Sequence, residues 1–278
     1  MKTLLVDAFP FFQEVELLKV RLEYLGDVVD RFLISESNID FSANPKDFVL
    51  TNEVLQQLPY SYKVQICRNN FSRFETKFIY SLAKKIKWRK PLWNIQKRQR
   101  NSLGKTISKI EQPGVLLFGD LDEFPDKSNL KKITSLTLES PDSFYTFNQL
   151  PLVYNLTTKS RNDDWPGTVA CSISTAKTVT LNKIRKMRSL KNPFGTGWHF
   201  SYFGNISQIK RKVRSLSTSE KQFDFQKTSD AEILNRISNN QDPFEMSNVR
   251  RNSVSLCQYP NDLVKAFKAH FPNVLEGR

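Results

Sequence analysis

Short apolar runs and helical-period segments alternate along the first third of the chain. Residues 3–6 are apolar, Val15, Leu18, Leu22 and Leu25 recur at three- and four-residue spacing beyond Pro10, and 28–34, apolar but for Asp30 and Arg31, reads as a strand. Strand, helix, strand in that order predicts a βαβ unit, and hence an α/β fold with a mostly parallel central sheet flanked by helices. The spacing of Phe74, Phe78, Leu82 and Ile86 predicts a helix over 71–86 with these side chains on one side and a basic opposite face. A second helical piece is expected over 95–110, after Pro91, and Pro113-Gly114 punctuates before a short buried strand over 115–118. Further on, 143–147, 152–156 and the Ser-, Thr- and Val-rich stretch 170–181 read as strands. The C-terminal end is helical over 231–237 and 262–270, with Asn261 or Asp262 available to cap the last helix. Neither a repeat nor a linker divides the chain, so one domain over 1–278 is expected.

Composition removes several classes. The 278 residues include 21 Phe, 8 Tyr and 4 Trp but only 9 Gly and 13 Pro, which argues against disorder and low complexity. Cys67, Cys171 and Cys257 are far apart and odd in number, so neither a disulfide framework nor a zinc cluster is expected. No apolar stretch reaches the ~18–20 residues of a membrane span, and Asp7 interrupts the N-terminal run before a signal-peptide core can form. A cytoplasmic protein is expected on these grounds.

Charge is unevenly distributed. Residues 76–110 contain 11 Lys and Arg and no acid, and 165–219 contain another 10, again without an acid. These 21 cations, set against a net charge of +14, leave −7 for the rest of the chain. Two basic bands on an acidic background point to an anionic ligand, and nucleic acid, lipid headgroups and a nucleotide diphosphate all qualify.

Candidate chemistry lies between the bands. The apolar run 115–118 ends in Gly119-Asp120-Leu121-Asp122-Glu123-Phe124-Pro125, three carboxylates within four positions. In an extended chain Asp120 and Asp122 project to the same side and are placed to share a Mg2+ or Mn2+ ion, which takes carboxylates together with substrate phosphates. Ligands of open α/β sheets bind at the carboxyl ends of strands, where this motif falls. A second segment, Gly195-Thr196-Gly197-Trp198-His199-Phe200-Ser201-Tyr202-Phe203-Gly204, holds one of two histidines among aromatic residues. His199 suits a third metal ligand or a phosphate contact, and equally a satisfied histidine in a core strand. The other histidine, His270, reads as structural.

Taken in order, Asp7-Ala8-Phe9, Glu14, Glu16-Leu17-Leu18, Arg21-Leu22, Val29-Asp30, Glu36, Phe41, Lys46, Gln99-Arg100-Asn101, Asp120-Leu121-Asp122-Glu123, Pro125, Trp165, Gly167 and Trp198-His199-Phe200-Ser201-Tyr202 resemble glycosyltransferase family 17, the β-1,4-N-acetylglucosaminyltransferases that include the enzyme adding bisecting GlcNAc. The resemblance implies a GT-A-like fold, a nucleotide-sugar donor such as UDP-GlcNAc, a divalent metal and inversion at the anomeric carbon. It divides the domain into a nucleotide-binding half (1–125), an acceptor half (126–225) and a helical C-terminal segment (226–278). Asp120 and Asp122 would hold the metal, with His199 as a third ligand. Arg100, Arg98, Asn101, Glu36 and Lys46 would contact the donor, and Trp165 and Trp198 would offer stacking walls. Inversion needs a carboxylate base. The candidates are Glu220, Asp164, Asp163 and Glu123, the first two ranked ahead. One departure from the family pattern is Ser217-Thr218-Ser219-Glu220, which lacks an expected histidine.

The acceptor is expected to be a glycan or a lipid-linked sugar. Two rival readings remain: a metal-dependent nucleic-acid enzyme, although no nucleic-acid-binding signature accompanies the carboxylates, and a protein held peripherally on an anionic membrane by the helix over 71–86.

Overall fold

In the computed structural model eight strands form one sheet in the order β3-β2-β1-β4-β7-β6-β8-β5. The residues described are 3–86, 90–160, 164–189, 193–215, 228–241 and 252–271. Strand β1 (Leu4–Phe11), helix α1 (Val15–Leu25) and strand β2 (Arg31–Ser37) make the expected βαβ unit. Helix α2 (Asn52–Gln56) precedes β3 (Val64–Asn69). The hairpin of α3 (Arg73–Ile86) and α4 (Lys90–Ser102), followed by α5 (Gly104–Ile107), returns the chain to β4 (Gly114–Phe118) beside β1. These four strands are mutually parallel.

The second half of the sheet is mixed. Strand β5 (Glu123–Pro125) and helix α6 (Lys127–Glu139) lead to β6 (Tyr145–Val153) and then to β7 (Trp165–Ser172), which pairs antiparallel with both β4 and β6. Helices α7 (Ile173–Thr178) and α8 (Leu181–Lys186) precede β8 (Pro193–Ser201), which runs parallel to β6 and antiparallel to β5. Helices α9 (Ile206–Ser215), α10 (Asp230–Ser238) and α11 (Asn261–His270) complete the described chain.

Alternation along the strands sends side chains to two cores. Leu5, Phe9 and Phe11 of β1 with Val115 and Leu117 of β4 pack beneath α1, α6 and α11, while Leu4, Val6 and Ala8 with Leu116 and Phe118 pack against α5, α7 and α8. Asp7 falls on the first of these faces. It is fully buried there and pairs with Arg21 of α1 through two hydrogen bonds, Nε to Oδ2 at 2.7 Å and Nη2 to Oδ1 at 2.8 Å.

Several details go beyond the expectations or change them, among them the helical piece over 95–110, which is two helices, α4 and α5. The stretch 170–181 is not one strand, because the Ser172 side chain accepts a hydrogen bond from the Thr175 amide and caps α7. Single strand β6 replaces the pair at 143–147 and 152–156. Helix α11 starts after Pro260, and neither Asn261 nor Asp262 is its cap. Helix α3 packs through Ile79 onto Phe71 and Ile95, and leaves Phe74 and Phe78 in solvent. Periodicity marks an apolar side of a helix without showing whether anything covers it. Among the described residues, no helix is long and apolar enough to cross a membrane.

Candidate active site

The site forms where β4 ends. Gly119 is required there by close approach: a Cβ would stand 2.8 Å from Thr168 Oγ1 and 3.0 Å from Glu123 Oε2. After the glycine the chain turns tightly, Glu123 N–H donating to the Asp120 carbonyl and Asp120 N–H to Glu123 Oε2. From below, Arg21 Nη1 donates to the carbonyls of Leu121 (3.1 Å) and Glu123 (2.7 Å). A buried guanidinium anchored on Asp7 thus fixes the backbone that displays Asp120 and Asp122.

Both aspartates face cations. Asp120 takes Arg100 of α4 at 3.2 Å and Arg185 of α8 at 2.8 Å. Burial works to raise its pKa, but Arg100 and then Arg185 outweigh it and hold the carboxyl well below the usual range. Asp122 takes Lys212 of α9 at 2.9 Å, and the same ammonium is 3.0 Å from Glu14. Against burial, Lys212 and then His199 keep Asp122 below its ordinary value. Burial pulls Lys212 the other way, yet Asp122 and Glu14 raise its pKa well above normal.

Glu123 lies at the centre of the cluster without access to solvent. Its Oε1 accepts from Trp165 Nε1 at 2.7 Å and Arg185 Nη2 at 2.5 Å, with Arg188 at 3.5 Å. So placed, it anchors the turn and leaves no room for an acceptor hydroxyl, unlike the base expected from sequence. Asp164, another candidate base, is exposed beside Trp165. Glu220 and Asp163 lie outside the described residues.

Strand alternation separates Trp198 from His199. Trp198 is buried against Tyr24 and Tyr259, so it is a core residue rather than a stacking wall for a donor. His199 faces the site, where its ring stacks on Trp165 with centroids 4.6 Å apart, and the Arg188 guanidinium is 5.0 Å from the same indole. Burial lowers the His199 pKa, so the imidazole is neutral at pH 7.

The expected metal can be tested against these groups. Among the described residues no three His, Cys, Asp or Glu side chains converge as a cage. Hard divalent ions commonly use only one or two protein ligands and fill the shell with substrate phosphates and water. Asp122 and His199 fit that arrangement: Oδ1 and Nε2 are 3.7 Å apart, too far for a hydrogen bond, and among the described residues Nε2 has only a Ser201 hydroxyl at 3.3 Å. Asp120 does not fit as a direct ligand, since Arg100 and Arg185 already hold its oxygens.

Asp120, Asp122, Glu14, Arg100 and Lys212 line a cavity of about 190 Å3 together with Phe11, Phe12 and Phe41. There Phe12 and Phe41 stand 5.9 Å apart at 30°. The remaining predicted donor contacts are engaged with other groups, Lys46 also lying 5.8 Å from the Phe12 ring. Glu36 is fully buried and serves the amides of Val49 and Leu50 together with Lys46 Nζ, so this pair holds the 38–50 loop. Arg98 pairs with Glu75 and lies over the Phe71 ring. The Asn101 side chain accepts from the Asn182 amide and ties α4 to α8.

Arg185, Arg188 and Lys212 are the residues that sequence reasoning does not single out. All three lie in the second basic band, but nothing in a run of cations ranks one above its neighbours. What distinguishes them is spatial: Lys212 bridges Asp122 and Glu14, while Arg185 Nε and Nη1 and Arg188 Nη1, like Arg100 Nε, are buried without a hydrogen-bond partner among the described residues. Buried unpaired donors are costly, and four of them beside a carboxylate pair make an anion-ready wall.

Comparison with known proteins gives the site its context. Two solved structures share a distant likeness. The galactosyltransferase LgtC, solved with donor and acceptor sugar analogues, is 11% identical with a TM-score of 0.36 over 66% of this chain, which spans 63% of that protein. A 4-diphosphocytidyl-2C-methyl-D-erythritol synthase is 12% identical with a TM-score of 0.36 over 80% of this chain and 95% of its own. At such scores neither decides anything about this molecule. A search of curated proteins finds no match. The sequence profile of one family, by contrast, matches residues 1–252, nearly the whole chain and every residue of the cluster around Asp120, and on that match the protein belongs to glycosyltransferase family 17.

Proposed function

We propose that this glycosyltransferase moves a sugar, GlcNAc, from UDP-GlcNAc to a hydroxyl of a glycan or lipid-linked acceptor, with inversion at the anomeric carbon. The observation that supports this most is the cluster of Arg100, Arg185, Arg188 and Lys212 around Asp120 and Asp122, with guanidinium N–H groups that make no hydrogen bond among the described residues. A diphosphate leaving group develops negative charge as the sugar departs, and preoriented cations in a sheltered site stabilise it. The aromatic lining of the 190 Å3 cavity, with Phe12 and Phe41, would take the base. That volume is below the about 300–1,000 Å3 of typical small-molecule sites, so the sugar would extend beyond it, past Asp122.

Asp122 and His199 would hold a Mn2+ or Mg2+ ion, whose chemistry is neutralisation of the leaving diphosphate. Arg100 would release one Asp120 oxygen to reach a phosphate, Arg185 keeping the carboxylate ionised meanwhile. Trp165, stacked on His199 and bonded to Glu123, would set the floor for the transferred sugar. In the transfer step the acceptor oxygen bonds to the anomeric carbon as the bond from that carbon to the phosphate oxygen breaks, and a carboxylate takes the hydroxyl proton. Asp164, which is exposed, and Glu220 are the candidates for that base.

Donor turnover with UDP-GlcNAc and Mn2+ tests the reading. Asp122→Asn should abolish turnover while the circular-dichroism spectrum is retained, and Arg100→Ala should chiefly weaken UDP binding in titration calorimetry. Undiminished turnover in Asp122→Asn would remove the site assignment, and a nucleotide-sugar screen showing a different tight ligand would replace the donor.

A further inference from the structure

The α3–α4 hairpin turns outward a face that the site does not use. Phe74 is 80% exposed and Phe78 60%, one turn apart on α3, and Trp93 on α4 is 49% exposed. The inward sides of the same helices already have their partners, Ile79, Leu92 and Ile95 packing with Phe71. These outward aromatics are therefore not a core waiting to close within the described chain.

Their surroundings are mostly cationic, the acid Glu75 beside Phe74 being paired with Arg98. Residues 76–110 contain 11 Lys and Arg and no acid, and Lys77, Lys97 and Lys105 are exposed. Lys97, Arg98 and Lys105 line, with Arg68, an open cleft of about 780 Å3 whose remaining lining has amide, hydroxyl, thiol and aliphatic groups but no carboxylate. Arg98 bridges to Glu75 on α3, so cleft and aromatic ridge meet across the hairpin.

We propose that this face docks on an anionic phospholipid surface, Phe74, Phe78 and Trp93 entering the boundary between headgroups and acyl chains while Lys77, Lys97 and Lys105 meet lipid phosphates. Bulky apolar side chains amid cations are the composition of an interfacial helix, whose binding sums apolar area and attraction to anionic lipid. A bilayer demands area and charge rather than a matched groove, and area and charge are what the hairpin offers. Arg100, on the same helix α4, reaches Asp120, so docking would hold the candidate site within one helix of the lipid surface. The proposal is independent of the donor and of the transfer reaction.

Co-sedimentation of the full chain with phosphatidylcholine vesicles, with and without phosphatidylglycerol, tests it. Binding is expected only with the anionic lipid, and weaker by tenfold or more as added salt shortens the screening length from about 10 Å to about 3 Å. Phe74→Ser with Phe78→Ser should lower partitioning about tenfold or more, with unchanged circular dichroism and unchanged donor turnover. Lys97→Gln with Lys105→Gln, which leaves the apolar ridge intact, should lower it several-fold and flatten the salt dependence. The proposal fails if anionic vesicles do not bind, if both double variants partition like the wild type, or if single-stranded RNA displaces the vesicles and binds the serine variant undiminished.

Discussion

Residues 76–110 and 165–219 carry nearly equal positive charge, 11 and 10 Lys and Arg without an acid, yet the structure uses them differently. From the first run Arg100 reaches the carboxylate cluster, while Lys77, Lys97, Arg98 and Lys105 face solvent. The second sends Arg185, Arg188 and Lys212 inward, where Asp120, Glu123, Asp122 and Glu14 receive them. A linear count of charge cannot tell a solvated face from an internal counter-ion. The distinction lies in what each helix packs against. Helix α8 lies beside β4 and β7, so its Arg185 reaches the buried Glu123, whereas α3 packs on α4 away from the sheet and α4 buries only the side that carries Gln99, Arg100 and Asn101.

Substitutions should separate the two runs by magnitude. The largest effect is expected for Arg185→Met, which strands Asp120 and Glu123 in a sheltered site: about 3–5 kcal/mol lost in urea unfolding, against about 0.5 kcal/mol or less for exposed Lys97→Gln. Equal losses would erase the contrast. Next comes Lys212→Met, which leaves Asp122 and Glu14 facing without their ammonium and should cost about 1–3 kcal/mol. Added Mn2+ should raise the melting temperature of this variant more than that of the wild type, and an identical shift would argue against an ion at Asp122.

Acid should also distinguish the runs. Burial holds the His199 pKa below normal, so an unfolded chain takes up that proton first and stability falls as pH drops below about 6.5. His270, also lowered by burial, adds to the same loss, and His199→Gln should flatten the part that His199 contributes. Asp120 and Asp122, held low by their cations, contribute fully above about pH 4 and lose that contribution as pH falls through their folded values. The smallest effect is expected for Arg98→Ala, an exposed pair with Glu75, at about 0.5 kcal/mol or less in the same unfolding measurement.

Much of the fold is legible in the sequence because β1, α1, β2 and β4 follow simple periods, and the turn holding Asp120 and Asp122 falls at a strand end as expected. Less legible are features decided by a partner. Trp198 and His199 are adjacent, and period-two alternation forces one into the core if the other faces a ligand. A site role for both was therefore inconsistent with a single strand, and the aromatic composition of the segment hides this. Glu36, Lys46 and Asn101 sit at family positions but hold loops and helices together. Residues that maintain a site can recur as faithfully as residues that touch a substrate. Conversely, Ser172 reads as a strand residue until the chain turns and uses its hydroxyl as a cap.

The pairing of Arg21 with Asp7 has a consequence for motion. The guanidinium joins β1 to the carbonyls of Leu121 and Glu123 while lying between the rings of Phe9 and Phe124. The turn bearing Asp120 and Asp122 therefore has no local route to opening: releasing it means withdrawing α1 from the principal core. Its amides should exchange with deuterium on the timescale of whole-molecule unfolding, far more slowly than those of the α3–α4 hairpin. Whatever movement accompanies turnover would then belong to the side chains and elements around this turn, and the turn itself would be the fixed point against which they move.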